Sequence, residues 1–329
     1  MPYLCALVYS DVRARKQPSY KIPAPPANLM RFFLKALTHI PLPILYGFGF
    51  IAYVVAFHVM RWRRDRAEFD VGNAFPEKSP QERARIVRDC YRNLADTMVE
   101  AFWGFGASAA ALKARVKFAD AELIRRAIDR KQTILLLAAH HGNWEWLLMA
   151  AGANFPIPID VVYQPQRLAS LDEFLRNVRC RFGGKLIPRK EFVYELLSHA
   201  GEPRAYALIA DQTPRKEDPK HWTRFLRQDT AFFVGAGKIA KFLESPVYFV
   251  SMHRDRRGYY TVRLDVLAEP PYEEVDDAVI VERYARCLER AILASPADWL
   301  WLQKKWKYAK PVPGDDKAYT EGVPARVRL

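Results

Sequence analysis

The stretch 133–152, TILLLAAHHGNWEWLLMAAG, limits what this chain can fold into more than any other part of it. Residues 134–137 form a short unbroken apolar run, as a strand covered on both faces requires. Gly142 and Asn143 interrupt that run, and Asn143 suits a helix N-cap. The spacing predicts a helix over 144–151. His140 and His141 therefore stand where a strand ends, and Glu145 falls in the first turn of the helix that follows. Open α/β sheets hold their ligands at that end of their strands. An imidazole beside a carboxylate can take a proton from a hydroxyl, the carboxylate fixing the tautomer and stabilising the imidazolium. Taken alone, the same residues also read as an ordinary strand end and helix start.

The two histidines are separable by geometry. Neighbours in an extended strand point to opposite faces, so His140 and His141 should not share one cleft. His141 and Glu145 are four apart and would meet only if the helix had already begun at His141. Gly142 and Asn143 argue against that start. His140 and Glu145, five apart across a strand-to-helix turn, are the second pairing that the spacing offers.

Composition narrows the class. Half of the 329 residues are apolar, which excludes a disordered chain, and the length allows one large α/β domain or two small ones. The net charge of +14 calls for an anionic partner. No zinc-finger spacing, aromatic RNA-binding strand or basic zipper is present, so nucleic acid is the least favoured. Four dispersed cysteines fit neither a disulfide framework nor a metal site and suit a reducing compartment.

In chain order, residues 1–28 are proline-rich and read as an irregular leader without a secretory signal pattern. Residues 29–66 read as a membrane anchor: 40–60 is apolar except for His58, about the ~20 residues needed to cross a bilayer, and Arg61, Arg63, Arg64 and Arg66 follow. Pro41 and Pro43 shorten the span, which leaves an interfacial or half-inserted helix as a close second reading. Residues 67–307 form the catalytic domain and 308–329 a loose tail. Ser79, Pro80 and Glu82 signal a helix start, with Ile86, Cys90, Leu94, Met98 and Phe102 as the apolar face of a helix reaching residue 105. A short helix is expected over 118–130. Strands are expected over 159–163, 186–187, 206–210, 246–250 and 259–267. Helices are expected from 170, over 192–200, 238–243 and 279–295. Arg189 and the pair Asp211-Gln212 each follow a strand. Arg189 suits a phosphate through its fixed fork, and also fits a solvated basic loop. Asp211-Gln212 also fits a plain turn.

The order of these motifs resembles the glycerolipid acyltransferase superfamily, whose His-x-x-x-x-Asp/Glu signature is similar to His140-x-x-x-x-Glu145. The wording HHGNWEW most resembles its lipid A biosynthesis branch, the late lauroyl- and myristoyl-type acyltransferases. Gly183-Gly184 to Arg189, Asp211-Gln212, Phe232-Phe233, Ser245-Pro246-Val247 and the Pro296 to Lys307 run, with Trp299 and Trp301, resemble the branch's later motifs. Val234 stands where the branch has a glycine. The tryptophan run suits either a membrane interface or a core beneath basic side chains.

The resemblance implies a central mixed sheet flanked by helices, preceded by a membrane helix. It implies transfer of a fatty acyl chain from an acyl carrier protein thioester to a hydroxyl of a lipid A precursor. The site would sit at the cytoplasmic face of the inner membrane and need neither cofactor nor metal. By that signature's spacing His140 would be the base and Glu145 its orienting partner, both catalytic, with His141 a structural neighbour, and Arg189, Asp211, Gln212 and Asn143 would bind substrate, Asp211 orienting Arg189 or a hydroxyl. Acylation of another lipid remains open. A metal-dependent hydrolase built on His140, His141 and Glu145 is the rival enzyme, and a lipid-binding protein the rival without catalysis.

Overall fold

The computed structural model describes residues 40–311 apart from 167 and 274, so the leader, residues 29–39 of the expected anchor and most of the tail lie outside the described residues. The sheet is built around β2 (Ile134–Ala138). Every residue of β2 is buried, and its side chains divide between two cores. Leu135 and Leu137 join one apolar cluster, while Ile134, Leu136 and Ala138 join the other. The period-two alternation of a strand thus feeds helical layers on both faces.

Six more strands complete the sheet: β1 (Val116–Phe118), β3 (Ile159–Tyr163), β4 (Gly184–Pro188), β5 (Ala205–Ile209), β8 (Val247–Arg256) and β9 (Tyr259–Ala268). Their order is β1-β9-β8-β2-β5-β3-β4. The run β8-β2-β5-β3-β4 is parallel; β9 is antiparallel to β8, and β1 runs with β9. The sheet is mixed and flanked by helices, as the resemblance implies. A separate antiparallel hairpin joins β6 (Lys220–Phe225) to β7 (Gln228–Phe233).

The N-terminal helix α1 (Leu42–Val54) continues through one π-helical turn, Val55–Val59. The stretch Leu42–Val59 is long and apolar enough to cross a membrane. It does not stand free. Leu42, Leu45, Gly49, Tyr53 and Phe57 recur every three or four residues and are buried. Gly49 lies against Ala95 and Val99 of α3 (Pro80–Gly106). The other face leaves Ile44, Phe48, Ile51, Val55 and Val59 exposed. α2 (Arg64–Ala74) follows the basic flank, two of whose arginines are structural: Arg63 donates to the Leu302 carbonyl, and Arg66 to Asp70 and the Trp306 carbonyl.

α3 begins on the expected capping box: Ser79 accepts from the Glu82 amide, and the Glu82 carboxylate accepts from the Ser79 amide. Its buried face differs from the expected stripe. Val87, Cys90, Tyr91, Thr97, Ala101 and Phe105 are buried, whereas Met98 is exposed and Ile86, Leu94 and Phe102 are half-buried. Over 27 residues the helix crosses both cores, so no single stripe describes it.

The remaining helices are α4 (Ala109–Arg115), α5 (Ala121–Asp129), α6 (Trp144–Asn154), α7 (Ala169–Arg179), α8 (Phe192–Ser198), α9 (Gly235–Leu243) and α10 (Asp277–Ala294). The helix expected over 118–130 is α5, which begins at Ala121 after β1 ends at Phe118. After α10, Trp299 and Trp301 are each 1% exposed, so these tryptophans pack in the core and not at an interface. Val234 in place of glycine disturbs nothing, because its backbone is right-handed helical.

Candidate active site

β2 places His140 two residues past its end, and the parallel neighbour β5 places Asp211 opposite. Ala138 pairs with Ile209, and the Ala210 amide continues the ladder to the Ala138 carbonyl. Asp211 is fully buried and takes hold of His140 twice. Its Oδ1 accepts from His140 Nδ1 at 2.8 Å and its Oδ2 from the His140 amide at 3.1 Å. Oδ2 also accepts from Trp299 Nε1 at 2.9 Å and Gln303 Nε2 at 3.0 Å. A carboxylate on Nδ1 fixes the tautomer with the proton there, which leaves Nε2 as the basic nitrogen.

The electrostatics agree. Burial opposes charge on His140, but the Asp211 charge and hydrogen bond, with a further contribution from Glu145, raise its pKa above the ordinary value. Burial likewise opposes charge on Asp211. The His140 charge and the hydrogen bonds from His140, Gln303 and Trp299 outweigh it and hold this carboxyl well below the usual carboxylate range. The edge of Trp144 meets the imidazole at 5.2 Å between ring centres.

Glu145, the orienting partner expected from spacing, is engaged elsewhere. Arg179 at the end of α7 grips it in a fork, Nε to Oε2 at 2.9 Å and Nη2 to Oε1 at 2.7 Å. No described hydrogen bond joins Glu145 to His140; it acts on the imidazole through its field. A first-turn residue of α6 projects from the helix start toward the end of α7, while the strand-borne His140 reaches sideways to β5. Nothing in the sequence flags Arg179 beyond a basic residue in a helix's last turn.

His141 points the other way, toward β8, as strand alternation requires. Its Nδ1 donates to the Met252 carbonyl at 3.1 Å. Burial pushes its pKa down, which suits a neutral ring. The three side chains of the rival metal reading thus turn to three different partners. Between them the chain bends at Gly142, whose φ is +66° and whose amide donates to the Asp298 carbonyl. A Cβ there would lie 2.2 Å from the Met252 carbonyl oxygen, so glycine is required both by conformation and by space.

Asn143 caps α6 through Oδ1, accepting from the Trp146 amide, and its Nδ2 donates to Glu100 at 2.7 Å. It is wholly buried with both ends engaged, so its side chain is structural and offers nothing to a substrate. Glu100 in turn accepts from Tyr46 of α1 and Tyr260 of β9. The first-turn amides of Trp144 and Glu145 have no intrahelical acceptor, as at any helix start.

Arg189 and Asp211 are not brought together. Arg189 directly follows β4, two strands or about 10 Å from β5, which carries Asp211, and three strands or about 14 Å from β2. It pairs with Asp218 at 3.0 Å on the rim, over the Phe233 ring. Gln212 is exposed, and Gln303 takes the contact with Asp211. Lys305 was not anticipated. It is buried against the Phe232 ring, 3.7 Å from Nζ to the centroid, and donates only a 3.3 Å bond to the Ala231 carbonyl among the described contacts. Burial brings its pKa down to about 7, a fall that the Asp211 charge restrains.

The fold and this site define a class: an α/β protein with a buried aspartate–histidine pair at the carboxyl end of its central parallel strands. The profile of the bacterial lipid A biosynthesis acyltransferases matches residues 14–308, and the chain belongs to that family. It is 24% identical over 294 residues to the lipid A biosynthesis lauroyltransferase of Escherichia coli (strain K12), covering 88% of this chain and 90% of that protein. The lipid A biosynthesis acyltransferase of Haemophilus influenzae is 23% identical over 257 residues, 74% of this chain and 76% of its own length. The lipid A biosynthesis myristoyltransferase of E. coli K12 is 23% identical, again over 257 residues, 75% and 76% of the two chains.

Proposed function

We propose that this protein transfers a fatty acyl chain from an acyl carrier protein thioester to a hydroxyl of a lipid A precursor, with His140 as general base. The observation that carries the proposal is the Asp211–His140 pair, which leaves Nε2 basic at a strand end. In the forward step Nε2 takes the acceptor hydroxyl proton as the oxygen attacks the thioester carbonyl. The tetrahedral oxyanion collapses, expelling the thiolate, which receives the proton from the imidazolium. Amides at the start of α6, the helix that follows His140, are assigned the stabilisation of that oxyanion. Arg189, about 14 Å away across the sheet, is too far for the oxyanion and suits a phosphate on the acceptor's headgroup.

Membrane attachment is part of the proposal. The exposed face of α1 carries Phe48, Ile51, Val55 and Val59 opposite its docked face. Each large apolar side chain moved out of water contributes about 1.5–3 kcal/mol. A helix docked along α3 and apolar on its outer side fits a monotopic anchor that holds the site against the cytoplasmic leaflet. The net charge of +14 fits an acidic carrier as donor.

The experiment is acyl transfer by purified protein, followed by mass spectrometry of the lipid product. Acyl carrier protein and coenzyme A thioesters are compared as donors at low and high salt. A phosphorylated glycolipid and a lysophospholipid are compared as acceptors. The expected result is glycolipid acylation from the carrier, weakened by salt and abolished in His140→Ala. Equal use of both donors without a salt effect would remove the carrier from the proposal. Lysophospholipid as the better acceptor would replace the lipid A precursor.

A further inference from the structure

A cleft of 380 Å³ opens between α1, α3 and the β8–β9 hairpin. Its polar wall is Arg92, Arg254, Arg257 and Asp96, and its apolar wall is Phe50 and Tyr53 of α1. Three cations meet Asp96 here, and Asp298 lies 3.8 Å from Nε of Arg254, so the exposed positive charge of the wall is that of Arg92 and Arg257. Asp96 does not neutralise them but organises them. Arg257 takes its two oxygens through Nε at 2.9 Å and Nη2 at 2.5 Å, and Arg254 adds a third bond at 3.1 Å. Arg254 is nearly buried and also donates to the Asn93 carbonyl, so it fixes the base of the cleft. The guanidinium of Arg257 lies 3.8 Å above the Tyr46 ring, and that of Arg92 5.1 Å from the Tyr53 ring. Arg92 also approaches Asp89 at 3.4 Å, an exposed pair worth little in water. Arg92 and Arg257 are each about half exposed, and no described bond uses Nη2 of Arg92 or Nη1 of Arg257.

Planar forks held in fixed orientation recognise phosphate better than mobile lysines do. The position of the cleft selects among phosphates. Phe50, which lines it, is exposed, and so is Ile51 next to it toward the outer face of α1, so a chain attached to a group seated there can run over apolar surface. A free phosphate has no use for that wall, and a lipid has. We infer that this cleft binds the phosphate headgroup of an anionic membrane lipid, apart from the His140 site. The inference rests on the membrane-facing reading of α1 given above. The surface potential of an anionic leaflet attracts an arginine pair whatever the headgroup. The cleft adds to this a preference for phosphate over other anions.

The test is vesicle flotation with the full-length protein. One set of phosphatidylcholine vesicles carries phosphatidic acid; a second is brought to the same surface charge with a fatty-acid carboxylate; a third is neutral. The wild type should prefer phosphatidic acid over carboxylate by about tenfold, the worth of one good charge-assisted contact. Arg92→Gln/Arg257→Gln should lose that preference while still unfolding cooperatively, with Arg254 left to hold Asp96. The control Arg61→Gln/Arg64→Gln removes the same charge outside the cleft and should keep it. Ile51→Asp/Val55→Asp should lose binding to all three vesicles. If it binds all three as the wild type does, the membrane-facing reading fails, whatever the arginines do. If the cleft variant keeps the preference, or both arginine variants lose it alike, the cleft is not the site. Titration with glycerol 3-phosphate without vesicles provides the last arm. Saturable binding abolished in the cleft variant, with no vesicle preference in the wild type, would assign the cleft to a soluble phosphate ester and overturn the lipid assignment.

Discussion

Replacing Asp211 by asparagine tests the proton chemistry most directly, because the two carboxylate oxygens do different work. Oδ2 accepts three donors, from the His140 amide, Trp299 and Gln303, while Oδ1 accepts one, from His140 Nδ1. An amide has one carbonyl oxygen. Placing it at the Oδ2 position preserves three bonds and costs one; the reverse placement confronts three donors with an NH₂ group. The asparagine should therefore present its NH₂ to His140 Nδ1. That ring nitrogen must then accept, the proton moves to Nε2, and the basic nitrogen is withdrawn from the substrate side. A wrong tautomer at an otherwise intact site costs about 10⁴-fold in turnover, or ~5.5 kcal/mol in the barrier.

The same variant should reverse the sign of the His140 shift. Without the Asp211 charge, burial dominates and the pKa falls below the ordinary value of about 6.5. Stability follows by linkage. Asp211 has a depressed folded pKa, so its contribution is present above the unfolded value of about 3.9 and lost as pH falls through the folded one. His140 has a raised folded pKa, so its contribution is complete below about 6.5 and lost as pH rises through the folded one. The gap between wild type and Asp211→Asn should therefore be widest between about pH 4 and 6.5 and narrow on both sides. A broken buried pair costs about 3–5 kcal/mol, and the retained bonds place this variant toward the lower end. Turnover with the acyl donor, histidine nitrogen–proton NMR for the tautomer, and denaturant titration across pH check the three parts. A variant within tenfold of wild-type turnover, with the Nδ1–H tautomer retained, would refute the reasoning.

Arg179→Met leaves Glu145 partly buried without its cation. His140 should then feel the full Glu145 charge, its pKa should rise further, and the acid limb of the rate profile should move to higher pH; an unmoved limb would show that the two charges are uncoupled. Lys305 has a folded pKa of about 7 against an unfolded value of about 10.4, so the folded chain binds fewer protons in that window and stability should climb with pH across it. Lys305→Met should remove most of that climb and raise stability at pH 6 by about 1–4 kcal/mol, as for other buried charges replaced by apolar groups; denaturant titration at pH 6 and 9 decides. Gly142→Ala meets a left-handed backbone that costs about 1–2 kcal/mol and a carbonyl that must move, so it should lose both stability and turnover in parallel thermal and kinetic measurements.

Much of the fold was legible because its strands obey simple rules. β3 falls on the expected residues, and β2, β5 and β9 differ from expectation by a residue or two at their ends. β2, β3 and β5 are short, largely apolar runs bounded by turns, whereas β9 shows as an alternation of buried and exposed residues. The β6–β7 hairpin was not legible. Its turn residues Leu226 and Arg227 both have positive φ, at 47° and 63°, where glycine or asparagine would be the usual signal. β6 itself, KHWTRF, has no apolar run to mark it. The tryptophans of the 299–306 segment carried two readings because an aromatic beside lysines suits an interface and a core equally. Tertiary packing decided: Trp299 donates to Asp211, which only a buried indole can reach.

The site divides along the same line. His140, its divergence from His141 and the helix start at Asn143 follow from strand alternation and capping, which are local. The partner of His140 is not local. Spacing along the chain offers Glu145, five residues on, whereas strand order offers Asp211, 71 residues on, because β5 and not β3 lies beside β2. A sequence shows that each strand exists and not which strands are neighbours. The consequence is chemical. With Asp211 on Nδ1, Glu145 is left to hold Arg179, and the end of α7 is tied to the start of α6. In the proposed mechanism the spacing His140-x-x-x-x-Glu145 then serves two tasks: the histidine takes the proton, and the glutamate, through Arg179, holds the start of the helix that follows it.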